Sequence, residues 1–366
     1  MREEMAQQQQ QPRILLTGSV GYIGCCILER LAKTHPELPV TAIPRDAPCE
    51  YDVIQEHAAK SDIVIHAGKP EAEKVILSLL HGLASRDQSK PSFFLHLSSN
   101  ITVSDATASS TSGNEYNCCA SAGIEFGERD PRVWSDIDDL PEIRTLPNNH
   151  IHRPMDSLIF GAAKKYGENI HTAIVCPPDI YGTGAGGLER KRECRMLPLY
   201  CDEVSRQKAA LYVGKGANMR SLVHVHDLCE LYRLLVEEAV RTIKTGKLRD
   251  ECWGENGFYF VSNDEDVSMR DIAKAAAGIL KSHGLIQNEN PRSCTPEETE
   301  NMIDGSGIAL WMFGSNSRTN AARAKKLLGW VPKGPYFWEV FENDLIQYKG
   351  NDPYRDFYPE NMEPEA

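Results

Sequence analysis

His152 and Asp156 have the side-chain types that proton transfer needs, and they stand four residues apart. The run that follows through Leu158, Ile159 and Ala162 to Tyr166 has helical spacing of apolar residues, so both groups fall on one helix face. Pro154 suits the first turn of that helix, which puts His152 at or before the cap. An imidazole titrates near neutrality and can give or take a proton with little adjustment. Ser98, Ser99 and Asn100 end a buried apolar run that begins at Ser92. Hydroxyl and amide donors at such a place can steady an oxygen that gains negative charge. Serine and asparagine also favour turns for local reasons, so that reading stands beside the first. The catalytic candidates are therefore Ser99, Asn100, His152 and Asp156.

A second stretch has the makings of an anion site. Thr17, Gly18, Gly21, Tyr22, Ile23 and Gly24 lie between the apolar run Ile14–Leu16 and an apolar-spaced segment from Cys25 to Leu31. A strand, a glycine turn and a helix in that order let backbone approach a pyrophosphate at a helix N-terminus. The spacing Gly-x-x-Gly-x-x-Gly is one residue longer at its first gap than the commonest dinucleotide fingerprint. Val40–Ile43 reads as the next strand, and Arg45 just beyond it favours NADP modestly over NAD, because arginine suits a 2′-phosphate. A solvated turn charge is the competing reading of Arg45. Asp62–Gly68 reads as a buried parallel strand whose small end residues, Ala67 and Gly68, let a ribose lie against backbone. His66 is a further cofactor candidate there, with a packed strand-end histidine as the alternative.

Composition bounds what these groups can serve. The chain has 366 residues, 41% hydrophobic and 25% charged, enough for a large α/β domain with a lobe. A formal net charge of -12 argues against nucleic acid as the main partner. The 11 cysteines include no Cys-x-x-Cys and no zinc spacing, so reduced thiols in a cytoplasmic protein are expected. Asp136, Asp138 and Asp139 put carboxylates side by side, but no histidine stands at ligand spacing, and no metal is expected. Nothing approaches the ~18 consecutive apolar residues of a membrane span.

Strands alternating with helices predict a doubly wound parallel α/β sheet of Rossmann type with a smaller C-terminal lobe. Residues 1–12 read as a polar, disordered leader and 349–366 as a loose tail. The nucleotide domain takes 13–184, with 220–262 returning to it, and the lobe takes 185–219 and 263–348. Pro177 opens a rigid turn that runs through Ile180 and Tyr181 into a glycine loop, the crossing into the lobe. Residues 190–206 read as a charged helix over the site mouth, 104–122 as a loop, and Asp227 as the N-cap of a helix to Thr245. Arg220 is a candidate anion contact for a substrate, or else one half of a salt bridge.

In order along the chain, these motifs resemble the extended or atypical short-chain dehydrogenases/reductases of the NAD-dependent epimerase/dehydratase group. The resemblance covers about residues 13–348. It rests on Thr17-Gly18-x-x-Gly21-x-Ile23-Gly24, Asp62–Gly68, Leu97-Ser98-Ser99, Pro177-x-x-Ile180-Tyr181-Gly182, Val223–Leu228 and Leu327-Leu328-Gly329-Trp330-x-Pro332. It implies NAD(P) as cofactor, held by the glycine turn and by Pro177 and Ile180, and a small-molecule substrate near Tyr181. Paired long helices often make homodimers in this family. The group's working pair, a tyrosine with a lysine four residues on, is absent, and its register falls near His152 and Asp156. Asn100 stands where the group has serine or threonine, and Cys176 where an arginine precedes the proline turn. The interval from Arg45 to Asp62 is too short for the strand and helix normally there. An atypical NAD(P)-dependent oxidoreductase or epimerase follows from this, with a catalytically silent NAD(P)-binding sensor as the alternative.

Overall fold

The computed structural model describes residues 11–44, 50–87, 89–108, 118–120, 123–184, 196–303 and 307–347. Residues 1–10 of the predicted leader, the tail, Arg45 and residues 185–195 of the lobe lie outside the described residues. The first half alternates strictly: β1 (Ile14–Thr17), α1 (Tyr22–Thr34), β2 (Val40–Ile43), α2 (Tyr51–Ala59), β3 (Ile63–His66), α3 (Glu73–Ala84) and β4 (Ser92–Leu97). Short strands β5 (Ala106–Ala108), β6 (Cys118–Ala120) and β7 (Trp134–Ser135) precede α4 (Leu140–Ile143), α5 (Arg153–Tyr166), β8 (Ile170–Cys176) and β9 (Asp179–Tyr181). Then come α6 (Met196–Gln207), β10 (Leu211–Val213), β11 (Met219–His224), α7 (Val225–Thr245), β12 (Phe258–Phe260), β13 (Asp266–Ser268) and α8 (Met269–Ser282). The chain closes with β14 (Arg292–Cys294), α9 (Pro296–Glu300), α10 (Ile308–Gly314), β15 (Thr319–Asn320), α11 (Ala322–Leu328) and α12 (Phe337–Gln347).

Six strands form the central sheet in the order β12-β8-β4-β3-β1-β2, and every neighbouring pair is parallel. A parallel sheet needs cover on both faces, which is why its strands are apolar at consecutive positions. Ile14, Leu16, Ile63, Ile65, Phe93 and Leu95 face α1 and α7. Leu15, Val64 and Phe94 point the other way, onto α2, α3 and α5. The chain leaves β1 in one direction for β2 and returns on the opposite side to β3. Carboxyl ends of strands at such a reversal line a ligand crevice.

The short interval before Asp62 holds the helix α2, whose Ile54 and Ala58 turn inward one turn apart. Among the described residues no strand pairs outside β2, so β2 is the sheet edge, with Thr41 and Ala42 exposed. The expectation that both elements would be missing is thus corrected for the helix.

A second core fills the lobe, built from α6, α8, α10 and α12 around β10 and Leu222 of β11. Among the described residues helix α6 spans Met196–Gln207 and buries Leu197, Leu199, Tyr200 and Val204. This corrects the predicted charged helix, because its inner face is apolar and belongs to the lobe core. Helix α7 is capped by His224, whose ring nitrogen accepts from the His226 amide. Asp227 instead accepts the Lys333 and Gly334 amides and ties the segment before α12 to α7. No helix among the described residues is long and apolar enough to cross a membrane.

Candidate active site

The turn after β1 is shaped by what its glycines lack. Gly18 has φ +77, and a Cβ there would lie 2.3 Å from the Ala67 carbonyl oxygen. A Cβ on Gly24 would lie 2.1 Å from the Gly18 carbonyl oxygen. The turn therefore presses against the end of β3 on one side and against α1 on the other. Its own bonds hold it there: the Gly18 amide donates to Ile43 (2.9 Å) and the Gly21 amide to Gly18 (3.0 Å). Gly21 is the N-cap of α1 and has no side chain to satisfy the first-turn amides, and that turn contains no acidic residue. First-turn amides and the positive end of a helix dipole, with no Cβ in the way, fit a diphosphate. The buried Thr17 hydroxyl beside them has no hydrogen-bond partner.

The remaining cofactor candidates border this turn. The Ala67 amide donates to Thr17 (3.2 Å), continuing β3 alongside β1. Ile23 and Ile180 pack half-buried onto the core under the sheet. The Pro177 carbonyl accepts the Asn100 amide at 2.9 Å. The Tyr22 hydroxyl donates to the carbonyls of Gly182 (2.6 Å) and Tyr181 (3.1 Å), joining the glycine turn to the end of β9. His66 does not face the crevice: it is 1% exposed and its Nδ1 lies 3.0 Å from Nδ1 of His96. Burial pushes His66 down to about 4 and His96 well below the usual imidazole range. Two facing Nδ1 atoms need one donor and one acceptor, so neutral rings of opposite tautomer fit the contact.

Beside this pair stand the proton-transfer candidates. His152 is the N-cap of α5 with φ +64, a left-handed conformation uncommon outside glycine that recurs at functional sites. Its Nδ1 lies 2.9 Å from Oε1 of Glu71, off the line of an aligned hydrogen bond. Such contacts tighten when substrate binds. Asp156, one turn into the helix, is 1% exposed, and burial raises its carboxyl from 3.8 to about 6. The Ser98 and Thr102 hydroxyls are near enough to oppose that rise, yet none of the three groups is in hydrogen-bond geometry with another. Burial, with Asp156 next in weight, also drives the Cys176 thiol up.

Four sequence candidates have other tasks. Ser99 caps the short turn Asn100–Val103 through the Ile101 amide, and Asn100 Nδ2 donates to the Ser317 carbonyl at 2.9 Å. The turn reading thus has these partners behind it. Tyr181 is buried, its hydroxyl donating to Pro335 (2.7 Å) and accepting from Asn263 (3.0 Å). Arg220 is 1% exposed, forked onto Asp179, bonded to Ser315 Oγ (3.1 Å) and laid over the Trp311 ring. The salt-bridge alternative holds, and Arg220 has no face left for an anion. Arg220→Ala should cost about 3–5 kcal/mol in urea unfolding by leaving Asp179 unpaired. Arg220→Lys should recover little of it, because an ammonium supplies neither fork nor stacking plane.

Glu71 was missed by sequence reasoning; its one signal was its place just past the Ala67-Gly68 strand end. Among the described residues no group of three or more His, Cys, Asp or Glu is arranged to hold a metal ion. Asp136 accepts the Phe260 and Arg323 amides, and Asp139 the Ser135 amide.

Residues 14–246 match the family model described as the NAD dependent epimerase/dehydratase family. The oxidase ucsJ of Acremonium sp is 26% identical over 345 residues, 88% of this chain and 93% of that protein. A dTDP-glucose 4,6-dehydratase, DesIV from Streptomyces venezuelae, solved with NAD bound, superposes with a TM-score of 0.58 at 16% identity, covering 93% of this chain and 98% of its own. The UDP-glucose 4-epimerase of Thermotoga maritima, solved with UDP-glucose, gives 0.56 at 14% identity, covering 92% and 98%.

Proposed function

Because the chain belongs to the NAD-dependent epimerase/dehydratase family, we propose that it is an NAD(P)-dependent oxidoreductase or epimerase acting on a small hydroxyl- or carbonyl-bearing substrate, with His152 as its proton carrier. The observation that supports this best is the Gly18–Gly24 cradle closed on the N-terminus of α1. In this reading the first-turn amides of α1 hold the diphosphate and the Ala67-Gly68 backbone flanks a ribose. Pro177 and Ile180 border the nicotinamide end. The bound dinucleotide supplies the hydride chemistry. Glu71 beside Nδ1 of His152 favours the Nδ1–H tautomer, which leaves Nε2 to exchange a proton with the substrate oxygen. Asp156, with its carboxyl near 6, and the Ser98 and Thr102 hydroxyls form a buried polar patch behind it. The choice of NADP over NAD rests on Arg45 alone and is left to titration.

Calorimetric titration with NADH and NADPH tests the cradle, and hydride exchange across a carbonyl panel tests the chemistry. His152→Ala should lower kcat by about 10²–10⁴-fold with cofactor affinity unchanged, the range for a lost general acid/base. Tight cofactor binding with no turnover on any substrate would favour a silent sensor. A wild-type protein that binds neither nucleotide would remove the reading.

A further inference from the structure

We propose that the Tyr22 hydroxyl is a positioning group that fixes the spacing between the diphosphate end and the nicotinamide end of the cofactor site, with Asp344 of α12 clamping the far side of the link. This rests on the cofactor reading above. Tyr22 is the first residue of α1, so its backbone belongs to the anion end. Its side chain leaves in the other direction and donates to the Gly182 and Tyr181 carbonyls at 2.6 and 3.1 Å. Gly182 has little freedom to move: φ is +89, and a Cβ would lie 2.3 Å from Nε2 of His224. The Gly182 amide, on the side away from Tyr22, donates to Oδ2 of Asp344 at 2.8 Å. Tyr181 next to it is anchored through its hydroxyl to Pro335 and Asn263. The turn is thus gripped from the lobe, and through Tyr22 that grip reaches the phosphate helix. The Tyr22 ring packs against both the sheet core and the lobe core, so phenylalanine keeps the packing and removes the hydroxyl that makes the link.

A ligand that spans both ends should sense this link, and one that occupies a single end should not. ADP takes the adenosine and diphosphate end alone, whereas NADH or NADPH takes both. In Tyr22→Phe the Kd of the preferred dinucleotide should rise about fivefold, the worth of one neutral hydrogen bond, with the ADP Kd within about twofold of wild type. Asp344→Ala should show the same split, and the double variant should lose less than the two single losses combined. Equal losses for ADP and dinucleotide in Tyr22→Phe would mean a weakened helix terminus and would overturn the proposal, as would no change in either. Wild-type protein that binds neither ligand would instead fail the cofactor reading itself.

Discussion

Gly18→Ala should weaken dinucleotide binding by at least about 100-fold. Two independent penalties meet at this position. At φ +77 any Cβ raises the backbone energy by about 1–2 kcal/mol. The same methyl would stand 2.3 Å from the Ala67 oxygen, 2.6 Å from its carbonyl carbon and 2.8 Å from the Gly68 nitrogen. These are backbone atoms at the end of a buried strand, and they cannot swing aside as a flexible side chain would. The turn must move out of the β1–β3 reversal and carry the first-turn amides of α1 away from the diphosphate. Gly21→Ala separates binding from folding. Gly21 has φ -74, and its added methyl meets only the Gly18 oxygen at 3.3 Å. That variant should melt close to wild type, whereas Gly18→Ala should also lose several degrees in thermal midpoint. Wild-type affinity in a folded Gly18→Ala protein would mean that the nucleotide sits elsewhere.

The central sheet was legible in the sequence because parallel strands buried on both faces leave unbroken apolar runs, as at Ile63–Ile65 and Phe93–Leu95. The glycine turn was legible because its three glycines, the strand before them and the helix after them are contiguous in the sequence. Helix α12 had a readable signal too, Phe337, Phe341 and Leu345 at four-residue spacing, all buried in the lobe, yet it went unpredicted. What sequence reasoning missed depends on partners far apart along the chain. Arg220 finds Asp179 forty-one residues away, and Asn100 finds the Ser317 carbonyl across 217 residues. Residue type alone left both open to a ligand, with a salt bridge as the alternative at Arg220; only the fold shows which partner each one takes. Glu71 and His152 meet for the same reason, through the end of β3 and the head of α5. A local motif predicts a backbone shape well, whereas a side chain's task depends on what the fold brings beside it.

Asp156→Asn should raise stability at pH 8 by up to about 3 kcal/mol and leave it nearly unchanged below pH 4. The sign follows from linkage. The folded carboxyl titrates at about 6, above its ordinary 3.8, so the fold prefers the neutral acid. Its favourable contribution is complete below pH 3.8 and is lost as pH rises through 6, when a charge must form in a site that water does not reach. A shift of roughly two units at about 1.4 kcal/mol each sets the ceiling. The Ser98 and Thr102 hydroxyls, His152 and Arg153 already offset part of the burial cost and are included in that value. Asp136, raised by burial to about 7, adds a slope of the same sign. The measurement is therefore the difference between variant and wild type in urea unfolding at pH 4, 6 and 8. A constant difference across that range would mean that Asp156 does not ionise there. If the gain at pH 8 comes with a fall in kcat, the carboxyl is retained at a cost to the fold because the reaction uses it. An amide at 156 would remove the cost of forming that charge and with it the only titrating group at this position.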